Sequence, residues 1–283
     1  MALEGFIPTL WSGRLLTNLQ KSLVYGAICN RDYEGEITDV GDRVKINEIG
    51  DITVGDYTET TTVTPQNLGD AQKELLIDQA KYFGFKVNDL RAAQMKPKVM
   101  DAAMRKASYR LRDKADQYIA RLYGEAGVTA SIGTTLSPIS ITSVNVVEYI
   151  GLVSQGLNEA NVPLEGRFMV LTPWLHQKLV LAKIQLATDN TDVFTSGFVG
   201  RALGFDFFIS NNAYEATPSS HVGAKILAGH PMAITFAEQL VKMESFRPET
   251  SFSDAIKGLY VYGAKVVMPN ALACLTASYA AEP

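Results

Sequence analysis

The clearest periodicity in the chain is a stripe of apolar residues between positions 95 and 123. Its members recur every three or four residues, which places them on one face of an α-helix. They are Met100, Met104, Ala107, Leu111, Ala115, Tyr118 and Leu122. Pro97 fits the first turn of such a helix, and Gly124 and Gly127 are typical of its end. The pattern predicts one helix over residues 95–123, about 43 Å long.

A second pattern, in residues 36–88, predicts a long two-stranded excursion. Residues 43–47 alternate as a strand does, and strand-forming segments follow at 75–77 and 83–87. Between them, residues 48–72 contain only 7 apolar residues in 25, together with many threonines, which favour an extended backbone. A two-stranded ribbon with so little apolar surface is marginally stable by itself. The segment is therefore either a flexible loop or an arm that lies on another subunit.

A compact α/β lobe is predicted after residue 143. Ser143 is placed to cap a helix, and Thr172 with Pro173 predicts the start of a second helix that runs to about Leu186. The inner face of the first helix is Val146, Ile150, Val153, Leu157 and Ala160. Residues 167–171 are apolar on both faces, as expected of a central strand.

The remaining segments divide into strands and connections, so the predicted fold class is α+β. Pro269 and Asn270 form the turn within the last strand-rich segment. Further strands are predicted at residues 205–210, 224–228 and 258–278. Residues 128–143 are rich in serine and threonine and predict a connector, and residues 187–200 predict an exposed loop. Residues 9–28 are predicted to be partly helical.

Composition narrows the class of protein. The net charge of −4 argues against strong attraction of nucleic acid to the whole surface. No apolar run reaches the ~18 residues that a membrane span needs, so no membrane partner is predicted. The first ten residues lack the basic segment of a secretory signal. Cys29 and Cys274 are predicted as two reduced thiols in preference to a disulfide.

The predicted long helix is also the one basic element. Residues 96–121 contain eight basic and three acidic residues, an excess of five positive charges, so the rest of the chain carries −9. Asp101 with Arg105 and Arg112 with Asp116 have the spacing of i,i+4 ion pairs on the solvent side. The pattern favours a solvated helix face, and the alternative is a surface that faces a polyanion.

Motifs for catalysis or cofactor binding are absent. The sequence has no phosphate-binding loop, no dinucleotide fingerprint, no nucleophile elbow and no zinc-protease motif. His176, His221 and His230 have no cysteine or glutamate at ligand spacing. The glycines between 197 and 204 have the wrong spacing for a dinucleotide and predict a turn or a close backbone contact. We therefore predict no enzyme, no catalytic residue, no metal and no cofactor.

In the order of ribbon, long helix and α/β lobe, the chain resembles a tailed-bacteriophage major capsid protein with the Hong Kong 97-like fold. It is most similar to the coat-protein branch, and the resemblance covers residues 1–278. The segments that carry it are PTLWSGRLLTNLQKSLVYGAI, DYEGEITDVGDRVKINEIG and FRPETSFSDAIKGLYVYGAKVVMPNALA. The resemblance implies five parts: an N-terminal arm (1–35), an extended β-hairpin loop (36–88), a peripheral domain (89–143) with the spine helix 95–123, an axial domain (144–240), and return strands of the peripheral domain (241–283).

The resemblance also implies a function. The protein is expected to be a structural protein whose copies form pentamers and hexamers of an icosahedral shell around double-stranded DNA. Its expected partners are further copies of itself, a separate scaffolding protein, a portal protein and packaged DNA through non-specific contacts, with a decoration protein as a further candidate. Assembly is expected in the host cytoplasm, and the final location is the virion capsid.

Three sets of contact residues follow from this resemblance. In the extended loop, contacts between subunits are predicted at Ile52, Val54, Tyr57, Thr60 and Val63. In the N-terminal arm they are predicted at Trp11, Leu15 and Leu19, and DNA-facing positions are Lys98, Arg105 and Arg112. Some relatives join their subunits by a Lys–Asn isopeptide bond from the extended loop. Because residues 48–72 contain no lysine, that cross-link is not expected here.

Two other functions stay open on the sequence. An encapsulin-like compartment shell shares the fold but encloses enzyme cargo, so the contents of the particle separate it from a capsid. A small-oligomer α+β enzyme or binding module would need a concave site with convergent polar groups, and no cluster of residues announces one.

Overall fold

The structure is a computed structural model, which describes residues 24–33, 41–49, 70–88, 98–127, 130–182, 198–247 and 253–282. Its helices are α1 (Tyr25–Ile28), α2 (Lys98–Ala120), α3 (Val146–Glu159) and α4 (Pro173–Leu181). Its strands are β1 (Arg43–Ile49), β2 (Asp70–Leu76), β3 (Gln79–Asn88), β4 (Ile139–Ile141), β5 (Phe168–Leu171), β6 (Phe198–Ala202), β7 (Phe205–Ile209), β8 (Glu215–Thr217), β9 (Val222–Gly229), β10 (Ile234–Phe246), β11 (Ser253–Val266) and β12 (Leu272–Tyr279).

A three-stranded antiparallel sheet in the order β10-β11-β3 lies between the long helix and the hairpin. Side chains of a strand alternate between the two faces of its sheet. Tyr260 and Tyr262 of β11 accordingly join the core against α2, where Tyr118 meets the ring of Tyr262 edge-on at 5.6 Å between ring centroids. Val261, between them, packs instead against the hairpin. The sheet therefore separates α2 from the hairpin in a three-layer arrangement.

The hairpin consists of β1 and β2, which pair antiparallel from Arg43–Leu76 to Ile49–Asp70. Val44 and Ile46 are buried while the residues on either side of Val44 are exposed, so the alternation read from the sequence is present in the structure. The predicted strand at 43–47 and the pairing on both sides of the excursion are confirmed. The excursion itself, residues 50–69, lies outside the described part of the chain.

The second sheet has seven strands, in the order β4-β12-β9-β5-β7-β6, with β8 paired to β9. Every residue of β5 is buried, and β5 lies between the parallel β7 and the antiparallel β9. The prediction of a central strand at 167–171 is thus confirmed. Helix α3 contacts this sheet at β12, with the predicted inner-face residues Val146, Ile150, Val153 and Leu157 all buried.

The start of α3 differs from the prediction. Its N-cap is Asn145, and no side chain in the described part caps it. Ser143 lies too early in the turn; its backbone and hydroxyl instead donate hydrogen bonds to Glu282 near the end of the chain. The prediction of Ser143 as the cap was wrong because a tertiary partner competes for its hydroxyl. Helix α4 does begin at Pro173 after Thr172, as predicted. It ends at Leu181, with Ala182 as its C-cap, so the predicted end at about Leu186 was wrong.

Two segments predicted as connections contain strands. Residues 139–141 form β4, which pairs in parallel with the end of β12. Residues 198–202 form β6, the antiparallel partner of β7, whereas residues 198–200 had been assigned to an exposed loop. Both strands lie at the ends of the sheet order. Short edge strands acquire their conformation from a neighbouring strand, so neither segment carries a periodicity that reveals it.

The last part of the chain divides between the two sheets. Strands β10 and β11 pair with each other and with β3, but β12 pairs with β9 and β4 of the seven-stranded sheet. The predicted domain boundaries grouped residues 241–283 together, and those boundaries stay a prediction. Cys29 and Cys274 are buried free thiols, in agreement with the prediction of reduced cysteines.

Candidate assembly surfaces

The root of the extended loop is a stiff hairpin. Ile49 pairs with Asp70, so the two residues that flank the segment 50–69 lie next to each other. Backbone hydrogen bonds join Ile77 to Gly41 and to Asp42 at the opposite end of the hairpin. The five predicted loop contacts, residues 52, 54, 57, 60 and 63, lie outside the described residues and stay predictions.

A close backbone approach holds this root on the sheet. Gly263 of β11 faces the hairpin, and a Cβ atom there would lie 2.4 Å from the carbonyl oxygen of Leu76. No heavy-atom pair tolerates that distance without movement, so glycine is required for the hairpin to sit this close. The ammonium group of Lys73 donates to the carbonyl oxygen of Val267, which adds a polar contact to the apolar one. The base of the loop is therefore held on the face of the sheet opposite α2.

The chain that follows the predicted N-terminal arm is anchored to the same sheet. Asn30 bridges to Thr235 at the start of β10, with backbone hydrogen bonds of 2.9 Å on either side. The guanidinium of Arg31 bonds the buried carboxylate of Glu238 at 2.9 Å and lies 5.3 Å from the centroid of the Phe236 ring. The predicted arm contacts at Trp11, Leu15 and Leu19 fall outside the described residues, and they stay predictions.

The apolar stripe of the long helix is buried as predicted, but part of the side that was expected to face solvent is buried as well. Met104, Leu111 and Ala115 are buried as predicted, and so is Ser108. Asp116, which was expected on the solvent side in an i,i+4 pair with Arg112, is only 5% exposed. The expected position on the solvent side was wrong because α1 packs against this side of α2, and the Asp116 carboxylate accepts a hydrogen bond from the backbone N–H of Val24 at 3.3 Å. The pairing of Asp116 with Arg112 stays a prediction.

The basic face of α2 is open to solvent. Its exposed cationic residues are Arg105, Lys106, Arg110 and Lys114, which we call the basic face. Of the predicted DNA-facing positions, Arg105 belongs to this face. Arg112 is half-buried over the ring of Tyr109, and its burial lowers the pKa of the guanidinium. Lys98 begins α2, but its side chain is outside the described part.

Sequence reasoning missed the central members of this face. Lys106, Arg110 and Lys114 were counted in the helix charge but were not selected as DNA-facing positions. Their exposure depends on which side of the helix α1 covers, and the apolar stripe alone does not determine that. The feature of the sequence that indicated a basic surface was the charge excess of the whole helix, which does not identify individual residues.

Large apolar side chains are exposed on the hairpin side of the three-stranded sheet. Tyr82 of β3 pairs with Leu259 and is therefore on the face of β11 that packs against the hairpin, yet it is 83% exposed. Lys257 of β11 is on the same face, since it is two residues before Leu259, and its ammonium group lies 5.1 Å from the centroid of the exposed Phe246 ring. This half of the sheet is beside the hairpin root and is not covered by it.

The described residues hold no constellation of a catalytic or metal site. No group of three or more histidine, cysteine, aspartate or glutamate side chains in these ranges is placed to hold a metal ion. His221 pairs with Glu215 at 3.1 Å, and His230 accepts a hydrogen bond from the backbone N–H of Met232. No helix of the described structure is long and apolar enough to cross a membrane.

Comparison with known proteins decides the family. The sequence model described as "Phage capsid protein" matches residues 70–275. The chain belongs to this phage capsid protein family. No curated protein sequence matches the chain. The matched region begins at the second strand of the hairpin and ends within β12, so it includes both sheets and the long helix.

Solved structures agree with this family. The chain is similar to the structure from Mycobacterium phage Che8, at 28% identity and a TM-score of 0.70, over 96% of this chain and 98% of that one. The capsid of cyanophage P-SCSP1u shows the same fold at 16% identity and a TM-score of 0.61, over 94% and 88% of the two chains. The virus-like particle from Pyrococcus furiosus shares the fold at 13% identity and a TM-score of 0.56, over 94% and 98%.

The phage capsid family confirms several predictions. The chain is a tailed-phage major capsid protein with the α+β, Hong Kong 97-like fold, and it is a structural protein rather than an enzyme. Copies of it assemble into a capsid shell, and its location is the virion capsid. The family match favours a capsid over the encapsulin-like alternative, since the similarity to the Pyrococcus furiosus particle shows the fold alone.

Proposed function

We propose that this capsid protein forms pentamers and hexamers of an icosahedral shell that encloses double-stranded DNA. The observation that carries the proposal is the placement of two surfaces on opposite sides of one sheet. The extended loop leaves from the hairpin layer, and the basic face of α2 is on the other side. A subunit of this design presents one side to neighbouring copies and the other to a polyanion.

The loop is suited to lie on a neighbouring copy. Residues 50–69 contain three acidic residues and no basic residue. Two extended arms of about ten residues would reach roughly 33 Å from the root. We propose that the loop crosses onto the hairpin side of the next subunit, where Tyr82 is exposed beside the cations Lys86 and Lys257. Its contact residues are Ile52, Val54, Tyr57, Thr60 and Val63.

The N-terminal arm supplies a second set of contacts in this proposal. Asn30 and Arg31 anchor the segment that follows this arm at the start of β10. Trp11, Leu15 and Leu19 are apolar residues at near-helical spacing. Buried against a neighbouring copy, they would give the interface an apolar core of the kind that obligate assemblies have.

The proposed domains follow the two sheets. We assign α2 and the β10-β11-β3 sheet to the peripheral domain, which takes residues 79–88 from the predicted extended loop and residues 234–240 from the predicted axial domain, because β3 and β10 pair with β11. The axial domain then contains α3, α4 and the seven-stranded sheet, including residues 139–141 from the predicted peripheral domain. Because β12 pairs with β9, we place residues 272–279 with the axial domain rather than with the return strands. Resemblance to tailed-phage capsid proteins supports the remaining partners: a separate scaffolding protein, a portal protein, a decoration protein, and assembly in the host cytoplasm.

Assembly is tested by expressing the full chain and examining it by electron microscopy and sedimentation. Closed shells are expected. Replacing residues 50–69 with a short glycine-serine turn is expected to abolish shells while leaving the subunit folded, because the β1–β2 root keeps its own pairing. A wild-type chain that stays a small oligomer at high concentration would refute the proposed shell, and shells formed equally well without the loop would refute its role.

The DNA-facing role is tested by reversing charges on the basic face. The double variant Arg105→Glu with Arg110→Glu is expected to reduce the amount of DNA packaged per particle. DNA binding should also become less salt-dependent: the slope of the logarithm of the binding constant against the logarithm of salt concentration should fall in magnitude by about one unit for each cation that no longer neutralises a phosphate. The matched control is Arg43→Glu with Lys45→Glu, two exposed cations of the hairpin layer. Equal effects of the two pairs, or none from the first, would argue against an inward basic face.

A further inference from the structure

An aromatic side chain lies among the cations of the basic face of α2. Tyr109 is 59% exposed, although the opposite side of the same helix is buried in the core. Arg105 and Lys106 precede it by four and three positions, so their side chains are its neighbours on the helix surface. Arg110 follows it directly, and all three cationic residues are exposed. The basic face therefore presents an aromatic surface as well as positive charge.

Packing within the subunit does not account for this tyrosine. The buried stripe of α2 includes Met104, Ser108 and Leu111, and Tyr109 lies outside it. A single exposed tyrosine is ordinary on a protein surface. What distinguishes Tyr109 is its position, because an uncharged aromatic residue occupies the middle of a surface that is otherwise suited to phosphate groups.

The ring of Tyr109 is in contact with a guanidinium group. The central carbon of the Arg112 guanidinium lies 5.5 Å from the centroid of the ring, within the ~6 Å range of a cation–π interaction. Arg112 is half-buried, so the contact comes from a side chain with restricted motion. A ring that is already held in place loses less conformational entropy when a ligand packs on it.

Charge and ring together indicate the class of ligand. Segment 96–121 carries an excess of five positive charges, which favours a polyanion. Proteins that bind single-stranded nucleic acid combine positive charge along the backbone of the strand with aromatic side chains on which the bases stack. In a duplex the bases are stacked on one another, so only phosphate groups are available to such a surface. A single strand can use both features of the basic face.

We propose that Tyr109 stacks on an unpaired base, so that the basic face of α2 binds single-stranded nucleic acid through this contact in addition to its phosphate contacts. The inference rests on the proposed nucleic-acid-facing role of the basic face. It goes beyond that role, since packaged duplex DNA supplies no unpaired base. Arg105, Lys106 and Arg110 contact phosphates, and Tyr109 contacts the base. The binding is independent of base sequence, because every base has a face on which a ring can stack.

An abasic strand separates stacking from charge. The full-length chain is kept unassembled at low protein concentration, as checked by sedimentation, and binding is measured by fluorescence anisotropy. The ligands are a labelled thymidine strand of about ten nucleotides, an abasic strand of the same length and charge, and the thymidine strand annealed to its complement. Wild-type protein is expected to bind the thymidine strand roughly tenfold more tightly than the abasic strand.

Variants at Tyr109 assign this difference to the ring. Tyr109→Leu keeps a good helix former and removes the ring. It is expected to bind the thymidine strand no better than the abasic strand and to bind the duplex as wild type does, which also shows that it is folded. Tyr109→Phe, which keeps the ring, is expected to retain the difference. Arg110→Glu is expected to weaken the binding of all three ligands, because each of them carries phosphates.

Each outcome decides the proposal. Equal binding of the thymidine and abasic strands by wild-type protein overturns it without any variant and leaves the phosphate contacts of the basic face standing. A difference that persists in Tyr109→Leu, or a loss of duplex binding in that variant, overturns it as well. Wild-type protein that binds none of the three ligands overturns both this inference and the proposed DNA-facing role, so the two failures are distinguishable.

Discussion

At the scale of single residues, buried charges connect distant parts of this subunit. Charged residues are seldom fully buried unless they are paired. Lys225 bonds the hydroxyls of Thr135 and Thr276, each at 2.9 Å. Lys178 bonds the backbone of Ala280 and the carboxylate of Glu282, and this pairing, with Ser143, lowers the pKa of Glu282 to about 2. Lys178 and Lys225 therefore each join segments that are far apart in sequence.

Glu238 provides a test of this residue-scale anchoring. Its side chain is 2% exposed and bonds both Arg31 and the hydroxyl of Tyr260. Glu238→Gln removes a buried negative charge and leaves the partly exposed guanidinium of Arg31 without its anionic partner at this site, so we expect a loss of about 2 kcal/mol in unfolding free energy. Denaturant unfolding monitored by fluorescence measures it.

The matched control is Glu244→Gln on the same strand. Glu244 pairs with Lys257 at 2.8 Å, and both side chains are about half exposed (53% and 54%), so its removal should cost less than about 1 kcal/mol. Equal losses for the two variants would show that Glu238 does not anchor the N-terminal segment.

At the scale of elements, the hairpin root is held by a close backbone contact in addition to apolar side-chain packing. β11 presents tyrosines to α2 and small or branched residues to the hairpin, so one strand serves two layers. At Gly263 the hairpin approaches so closely that the Leu76 carbonyl occupies the space of a side chain. The stiffness of the loop root is therefore encoded in a strand far later in the chain.

Gly263→Ala tests this contact. The added methyl group forces the hairpin away from the sheet, and we expect a loss of about 2 kcal/mol together with a reduced yield of shells. Gly84→Ala on β3 is the control, since its new Cβ would meet no atom closer than 3.9 Å. Thermal unfolding and particle counts measure both effects. If the two variants behave alike, the close approach at Gly263 does not hold the root.

At the scale of the whole molecule, charge is distributed by layer. The segment 96–121 carries an excess of five positive charges, whereas the rest of the chain carries −9. In the structure this basic helix is separated from the root of the acidic loop by the three-stranded sheet. Repulsion between an acidic subunit and DNA is therefore reduced on one side only, which suits a shell with an inside and an outside.

The covalent state of the shell is a prediction at this scale. Residues 48–72 contain no lysine, so this part of the extended loop lacks the amine that an isopeptide bond to a neighbour requires. We expect mature particles boiled in denaturant to give a single band at the monomer mass of 30.9 kDa on a gel. A ladder of covalent multimers would contradict this.

The sequence by itself determined the elements whose signal is local. The stripe of Met104, Leu111 and Ala115 predicts the long helix, and alternation at 43–47 predicts β1, because side chains repeat with the period of their own backbone. The order of these elements was sufficient for the resemblance to phage capsid proteins, which the family match confirms.

Only the tertiary structure decided the rest. Asp116 is buried because α1 covers its side of α2. Ser143 donates its hydroxyl hydrogen bond to Glu282 and so does not cap α3. Residues 139–141 form a strand because they pair with β12. In each case the deciding partner is far away in the sequence, as Val24 is from Asp116 at a separation of 92 positions. The spacing of apolar residues along a segment does not predict such a contact, since the contact exists only after the chain has folded.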